Sequence, residues 1–236
     1  MRRESSGLGN GGARGKLTTV SPARFLSPAR TSLKICGVTT SGDAEKLAEM
    51  GVDALGANFW PKSKRYLAPE VAGFLRGLDG RILRVGVFVN AGPDLPRQLF
   101  DDGLIDVIQL HGDETPADAR PFAEAGIPFL KALGVRGVED LATARDFRAS
   151  GILLDAHAPG VYGGTGQTID WALARTFVEQ HPDLPLILAG GITAGNAAAA
   201  IEAVHPAALD IASGAESSPG VKDFDKVAAL LAACRA

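Results

Sequence analysis

From Ser32 onward, short apolar runs rich in branched residues alternate with segments of helical period. SLKIC precedes DAEKLAEMG, ALGANF precedes APEVAGFLRGL, ILRVGVFV precedes LPRQLFDDG, and DVIQL precedes PADARPFAEAG. The same order recurs as IPFLKAL with VEDLATARDFRAS, GILLD with DWALARTFVEQ, LPLILAG with AGNAAAAIEAV, and AALDIAS with KDFDKVAALLAAC. The short runs are continuously apolar instead of alternating, as strands buried on both faces must be. Strands that alternate with helices imply a parallel sheet. Eight such units predict an α/β fold of one closed (β/α)8 barrel, the TIM barrel, over residues 31–236. A doubly wound open sheet uses fewer strands and fits the placement of the glycines poorly.

Residues 1–30 break the rhythm. They are rich in Gly, Ser, Pro and Arg without a sustained apolar period, which predicts a disordered tail whose removal leaves the barrel's stability unchanged. No apolar stretch follows its arginines as in a secretory signal. A flexible extension or an early start codon accounts for it better than a transit peptide. Six basic residues against Glu4 alone give this segment a charge of +5, so the body carries −8 of the net −3. An acidic body argues against nucleic acid as a partner, which needs a basic face. It also means that an anionic ligand must be held by local donors. Apolar runs fall short of the ~20 residues of a membrane helix. Two cysteines, Cys36 and Cys234, make no disulfide framework and point to a reducing compartment, the cytoplasm.

Barrel chemistry sits where strands run out into the following loops. Standing there are Cys36, Asn58 with Arg65 downstream, Asn90, Gln109 with His111, Lys131, Asp155, Gly190-Gly191 and Ser213-Gly214. LAGGIT (188–193) and IASGAE (211–216) end the seventh and eighth strands on small residues, the usual place for a barrel's phosphate site. Glycines let backbone N–H groups approach an anion closely. Either motif alone could be a turn; two on adjacent strands favour phosphate. GVYGGTGQTIDW (160–171), with Gly163 and Gly164, predicts a loop that closes over a ligand. Cys36 as a thiolate could take a proton from carbon, provided that Lys34 or local N–H groups lower its pKa. Alone, it could equally be a small buried hydrophobe. Asp155, across the mouth, could act as a general acid. Arg65 offers a planar fork for a carboxylate, or is a solvated loop charge between Lys62 and Lys64. The four histidines fall in separate units without ligand spacing, so no metal is expected.

In their order and spacing, KICGVTT, GANFWPKSKRY, VGVFVN, IQLHGDE, ILLDAHAPGVYGGTGQTIDW, LAGGIT and DIASGAESSPGVKD resemble the phosphoribosylanthranilate isomerase family. The likeness runs from Lys34 to about Lys222, and no key position departs from it. It implies an Amadori rearrangement of a phosphoribosyl-anthranilate in tryptophan biosynthesis, with no metal or organic cofactor. Asp155 would then protonate the furanose oxygen and Cys36 remove the C2′ proton. Arg65 would hold the anthranilate carboxylate, and the backbone of Gly190, Gly191, Ser213 and Gly214 the phosphate. Gln109, His111 and Asp210 would support substrate binding, in a monomer or homodimer. A related isomerase of the histidine pathway would have an aspartate in place of Cys36. A non-catalytic phosphosugar-binding barrel would be expected to lack Cys36 or Asp155.

Overall fold

The computed structural model describes residues 20–135, 137–156 and 169–236. Its eight expected strands are β1 (Ser32–Cys36), β2 (Ala54–Asn58), β3 (Leu83–Phe88), β4 (Val107–Leu110), β5 (Phe129–Val135), β6 (Gly151–Ala156), β7 (Leu186–Leu188) and β8 (Ala208–Ile211). They pair in sequence order, all parallel, and β8 returns to β1 to close the barrel.

Closure gives the period-two geometry of a strand a definite meaning: one set of side chains points into the barrel and the other toward the helices. The inner set forms a cluster of Ala54, Leu83, Val85, Val107, Leu130, Leu153, Ile187 and Ala208. The outer set, including Leu33, Ile35, Leu55, Ile108, Ile152, Leu154, Leu209 and Ile211, joins the larger core beneath the helices. Both faces are apolar, which is why the strands read as unbroken runs.

The outer ring contains α2 (Ser41–Met50), α3 (Asp94–Asp101), α4 (Pro116–Glu124), α5 (Trp171–Gln180), α6 (Ala197–Val204) and α7 (Phe224–Arg235). Thr40, Thr115, Asp170 and Asp223 cap four of them by accepting from backbone N–H groups of the first turn. Two helical units instead form 3-10 turns, at Pro69–Leu78 and in the pieces Val138–Leu141 and Ala144–Phe147. Among the described residues, no helix is long and apolar enough to cross a membrane.

Residues 20–30 depart from the expectation of a tail. Pro22–Phe25 form a short helix, α1, whose N-cap Ser21 accepts from the Arg24 amide. Phe25 and Leu26 are buried in the inner cluster, at the strands' N-terminal end of the barrel, with Val20 packed against them. Arg30 pairs with Asp53, whose carboxylate also accepts from Leu33 N, and Thr31 Oγ1 donates to the Pro206 carbonyl. Composition masked this role: two apolar side chains suffice to plug the end of a barrel, too few to create a period. Residues 20–30 are therefore part of the packed body; residues 1–19 lie outside those described.

Candidate active site

At the opposite end, the inward positions turn polar. On β1 the inward set is Ser32, Lys34 and Cys36; on β8 it includes Asp210; on β4, Gln109, with His111 just beyond; and on β6, Asp155. Cys36 and Asp155 therefore stand on inward positions at the same end of the barrel. Going round the barrel from β1 through β8 and β7, β6 is the third strand.

Below Cys36, Lys34 Nζ donates to Asp210 Oδ1 at 2.7 Å, and both side chains are buried. Asp210 and Cys36 hold the Lys34 ammonium above its usual range against desolvation. Burial pushes the Cys36 thiol up, while Lys34 and Lys222 pull it down and Asp210 opposes them. The expected lowering by Lys34 is thus present but outweighed, first by burial and then by the Asp210 carboxylate.

Asp155 meets the imidazole of His111, with Nε2 3.5 Å from Oδ2, and Gln109 Nε2 lies 2.7 Å from His111 Nδ1. Gln109 has no exposed surface, so it acts on His111 from the layer below. Asn90 and Glu114 shape the loop carrying His111: Asn90 Oδ1 accepts from Asp113 N, and Glu114 accepts from the amides of Asn90 and Gly112. Lys131 does not join the mouth. It is on the outward parity of β5, where its ammonium reaches Glu114 Oε2 and the Gly112 carbonyl, both at 2.7 Å.

Asn58 ties together the loop after β2. Its side chain accepts from Trp60 N and its carbonyl from Leu67 N, bracketing the turn that carries Arg65. Arg65 lies back over the turn after β1: a Cβ on Gly37, whose φ is +75°, would overlap the Arg65 Cδ. Only glycine suits this position. The arginine is therefore no solvated loop charge. Its Nε and Nη2 edge grips Glu216, at 2.8 and 3.0 Å from Nε and 2.6 Å from Nη2.

The two glycine-bearing loops meet. Gly190 and Gly191 turn the chain with positive φ after β7, and Asn196 closes that loop by accepting from Thr193 N and donating to Gly191 O. Ser213 and Gly214 lie in the short 3-10 turn Ser213–Ala215 after β8. A Cβ on Gly214 would overlap the Ile192 carbonyl, so the small residue allows the loops to touch. The helix that follows, α6, starts at Ala197. Gly163 and Gly164, in the expected closing loop, lie outside the described residues.

A family model for N-(5′-phosphoribosyl)anthranilate isomerase matches residues 33–233. The chain belongs to this family. Among curated members, that of Syntrophus aciditrophicus is 43% identical over 87% of each chain. The Azotobacter vinelandii protein is 44% identical, over 84% of this chain and 94% of its own. The solved structure of the Thermotoga maritima isomerase superposes with a TM-score of 0.78 at 37% identity, covering 87% of this chain and 98% of that one. A family structure in complex with reduced 1-(o-carboxyphenylamino)-1-deoxyribulose 5-phosphate has a TM-score of 0.75 at 35% identity, with coverages of 87% and 98%.

Two residues without a sequence-derived role stand beside Arg65 and Cys36. Glu216 opens β9 (Glu216–Ser218), which forms a hairpin with β10 (Val221–Lys222) after the Ser213–Gly214 turn. Lys222 Nζ donates to Glu216 Oε1 at 2.7 Å and to the Cys36 carbonyl at 2.6 Å. The available signal was the Pro219-Gly220 turn between them, which brings a carboxylate and an ammonium six residues apart onto facing strands.

Proposed function

We propose that this chain converts N-(5-phosphoribosyl)anthranilate to 1-(2-carboxyphenylamino)-1-deoxyribulose 5-phosphate by an Amadori rearrangement, a step of tryptophan biosynthesis. The observation that carries the proposal is the placement of an inward thiol and an inward carboxyl, Cys36 and Asp155, at the end of the barrel that also carries Arg65 and the paired glycine loops.

Asp155 gives its proton to the furanose ring oxygen as the C1′–O bond breaks. The anilino nitrogen's electron pair then forms a C1′=N iminium. Cys36 removes the C2′ proton, and the C2′–H electron pair becomes the double bond of an enolamine, with the former iminium pair returning to nitrogen. Tautomerisation gives the ketone. The thiol must ionise first, and its burial opposes this in the free protein. The adjacent iminium cation favours the thiolate, as an opposite charge does for any acid. No redox step arises, and the chemistry uses only a positioned acid and base.

The phosphate goes to the backbone around Gly190, Gly191, Ser213 and Gly214. Arg65 receives the anthranilate carboxylate, with His111, Gln109 and Asp210 in support. Because Glu216 occupies the Nε–Nη2 edge, the carboxylate is met by Nη1 and the second hydrogen of Nη2. The enzyme acts as a monomer or homodimer in the cytoplasm, without nucleic acid or membrane. Freshly made phosphoribosylanthranilate should lose its fluorescence when the protein is added. Unchanged fluorescence at micromolar enzyme would refute the proposal.

A further inference from the structure

Glu216 is 5% exposed and takes bonds from three directions: the Arg65 fork, Lys222 Nζ and, at 3.2 Å, the amide of Gly220. A buried ionic cluster is a weak device for stability alone, since apolar residues of similar volume often do as well. Such a cluster does fix directions. The Arg65 stem is already confined over Gly37, and Glu216 fixes the rotation of the guanidinium plane at its far end. Lys222 extends the same arrangement to the Cys36 carbonyl.

The charges also do not balance. Arg65 and Lys222 bring two positive charges against the single carboxylate of Glu216. One further carboxylate at Nη1 would neutralise the cluster in a setting where charges are poorly screened.

We propose that Glu216 is the positioning residue for the carboxylate end of the substrate: it turns the Nη1 end of Arg65 toward the ligand and, through Lys222, ties that orientation to the strand end bearing Cys36. Glu216 itself does not touch substrate. It makes recognition of a ring carboxylate, rather than of the phosphosugar, dependent on the hairpin β9–β10. This rests on the assignment of Arg65 to the anthranilate carboxylate, so the test separates the two.

Calorimetry on the full chain compares the reduced product analogue with its aniline counterpart, which lacks only the ring carboxylate. The parent protein should prefer the carboxylated analogue by tenfold or more, as expected for a charge-assisted contact. Equal binding there would overturn the Arg65 assignment and the inference with it. In Glu216→Gln the preference should fall by about tenfold while the aniline counterpart binds as before. In an Arg65→Ala background the same change should have no further effect. Glu216→Asp, which keeps the charge but withdraws it by about 1.5 Å, should lie between and serves as the test if the glutamine variant does not fold. A parent-like preference in whichever variants fold, beside a discriminating parent protein, would overturn the role of Glu216 alone.

Discussion

Lys34 Nζ stands 2.7 Å from Asp210 Oδ1 inside the barrel, one inward position below Cys36. The pair is the floor of the site. Neither partner is stable there alone, since removing one leaves an uncompensated buried charge at a cost of about 3–5 kcal/mol. Lys34→Met should therefore be strongly destabilised in denaturant unfolding, and Lys34→Met/Asp210→Leu should recover most of the loss. A double variant no more stable than the single one would show that the pair does not act as a unit.

The Cys36 thiol has a pH signature with a definite sign. Burial raises its pKa in the free protein, and the base form is the thiolate. Activity limited by Cys36 must then rise with pH, and kcat/KM reports the free enzyme. Its ascending limb should lie above the ordinary thiol range of about 8.5. Cys36→Ser should lower turnover by orders of magnitude with little change in analogue affinity, because a hydroxyl is too weak an acid to form the base. A limb near neutrality would show that Lys34 and Lys222, not burial, govern the thiol, and normal turnover in Cys36→Ser would remove the cysteine from the proton-transfer step.

The barrel was legible because its strands are apolar on both faces and its units repeat. The proposed catalytic pair stood out in the sequence because Cys36 and Asp155 interrupt apolar runs at their ends. Lys131 also interrupts one, at an outward position, and single-sequence reading could not tell the two parities apart without the closed sheet. Glu216 and Lys222 were hidden for another reason: their significance lies in contacts with Arg65 and the Cys36 carbonyl, residues 151 and 186 positions away. Phe25 was hidden by a composition typical of linkers.

That last residue gives a stability prediction. Phe25 is 2% exposed in the inner cluster with Leu83, Val85 and Ile187. Truncating a buried phenylalanine costs about 3–5 kcal/mol when the cavity cannot collapse, and the inside of a closed barrel has little freedom to do so. Phe25→Ala should lower the melting temperature, and deletion through residue 30 should lower it further by also removing Leu26 and the Arg30–Asp53 pair. Unchanged melting in the deletion would restore the expectation of a dispensable tail.

Asp155 offers the sharpest test of the acid step. Its carboxyl is on the inward parity of β6, 8% exposed, with His111 Nε2 3.5 Å from Oδ2 and Gln109 behind His111. Asp155→Asn preserves size and one carbonyl oxygen but has no acidic proton to give to the ring oxygen. Ring opening should nearly stop, lowering turnover by at least a hundredfold, within the range typical of a removed general acid. Affinity should survive, because the phosphate and carboxylate are held at other points of the mouth. His111→Asn should have a smaller effect on turnover, since the histidine supports the carboxyl and the bound substrate but does not give the ring-opening proton. Calorimetry with the reduced product analogue, beside turnover measurements on both variants, tests this ordering. Preserved turnover in Asp155→Asn would eliminate it as the acid. A larger loss in His111→Asn than in Asp155→Asn would transfer the proton donation to the imidazole.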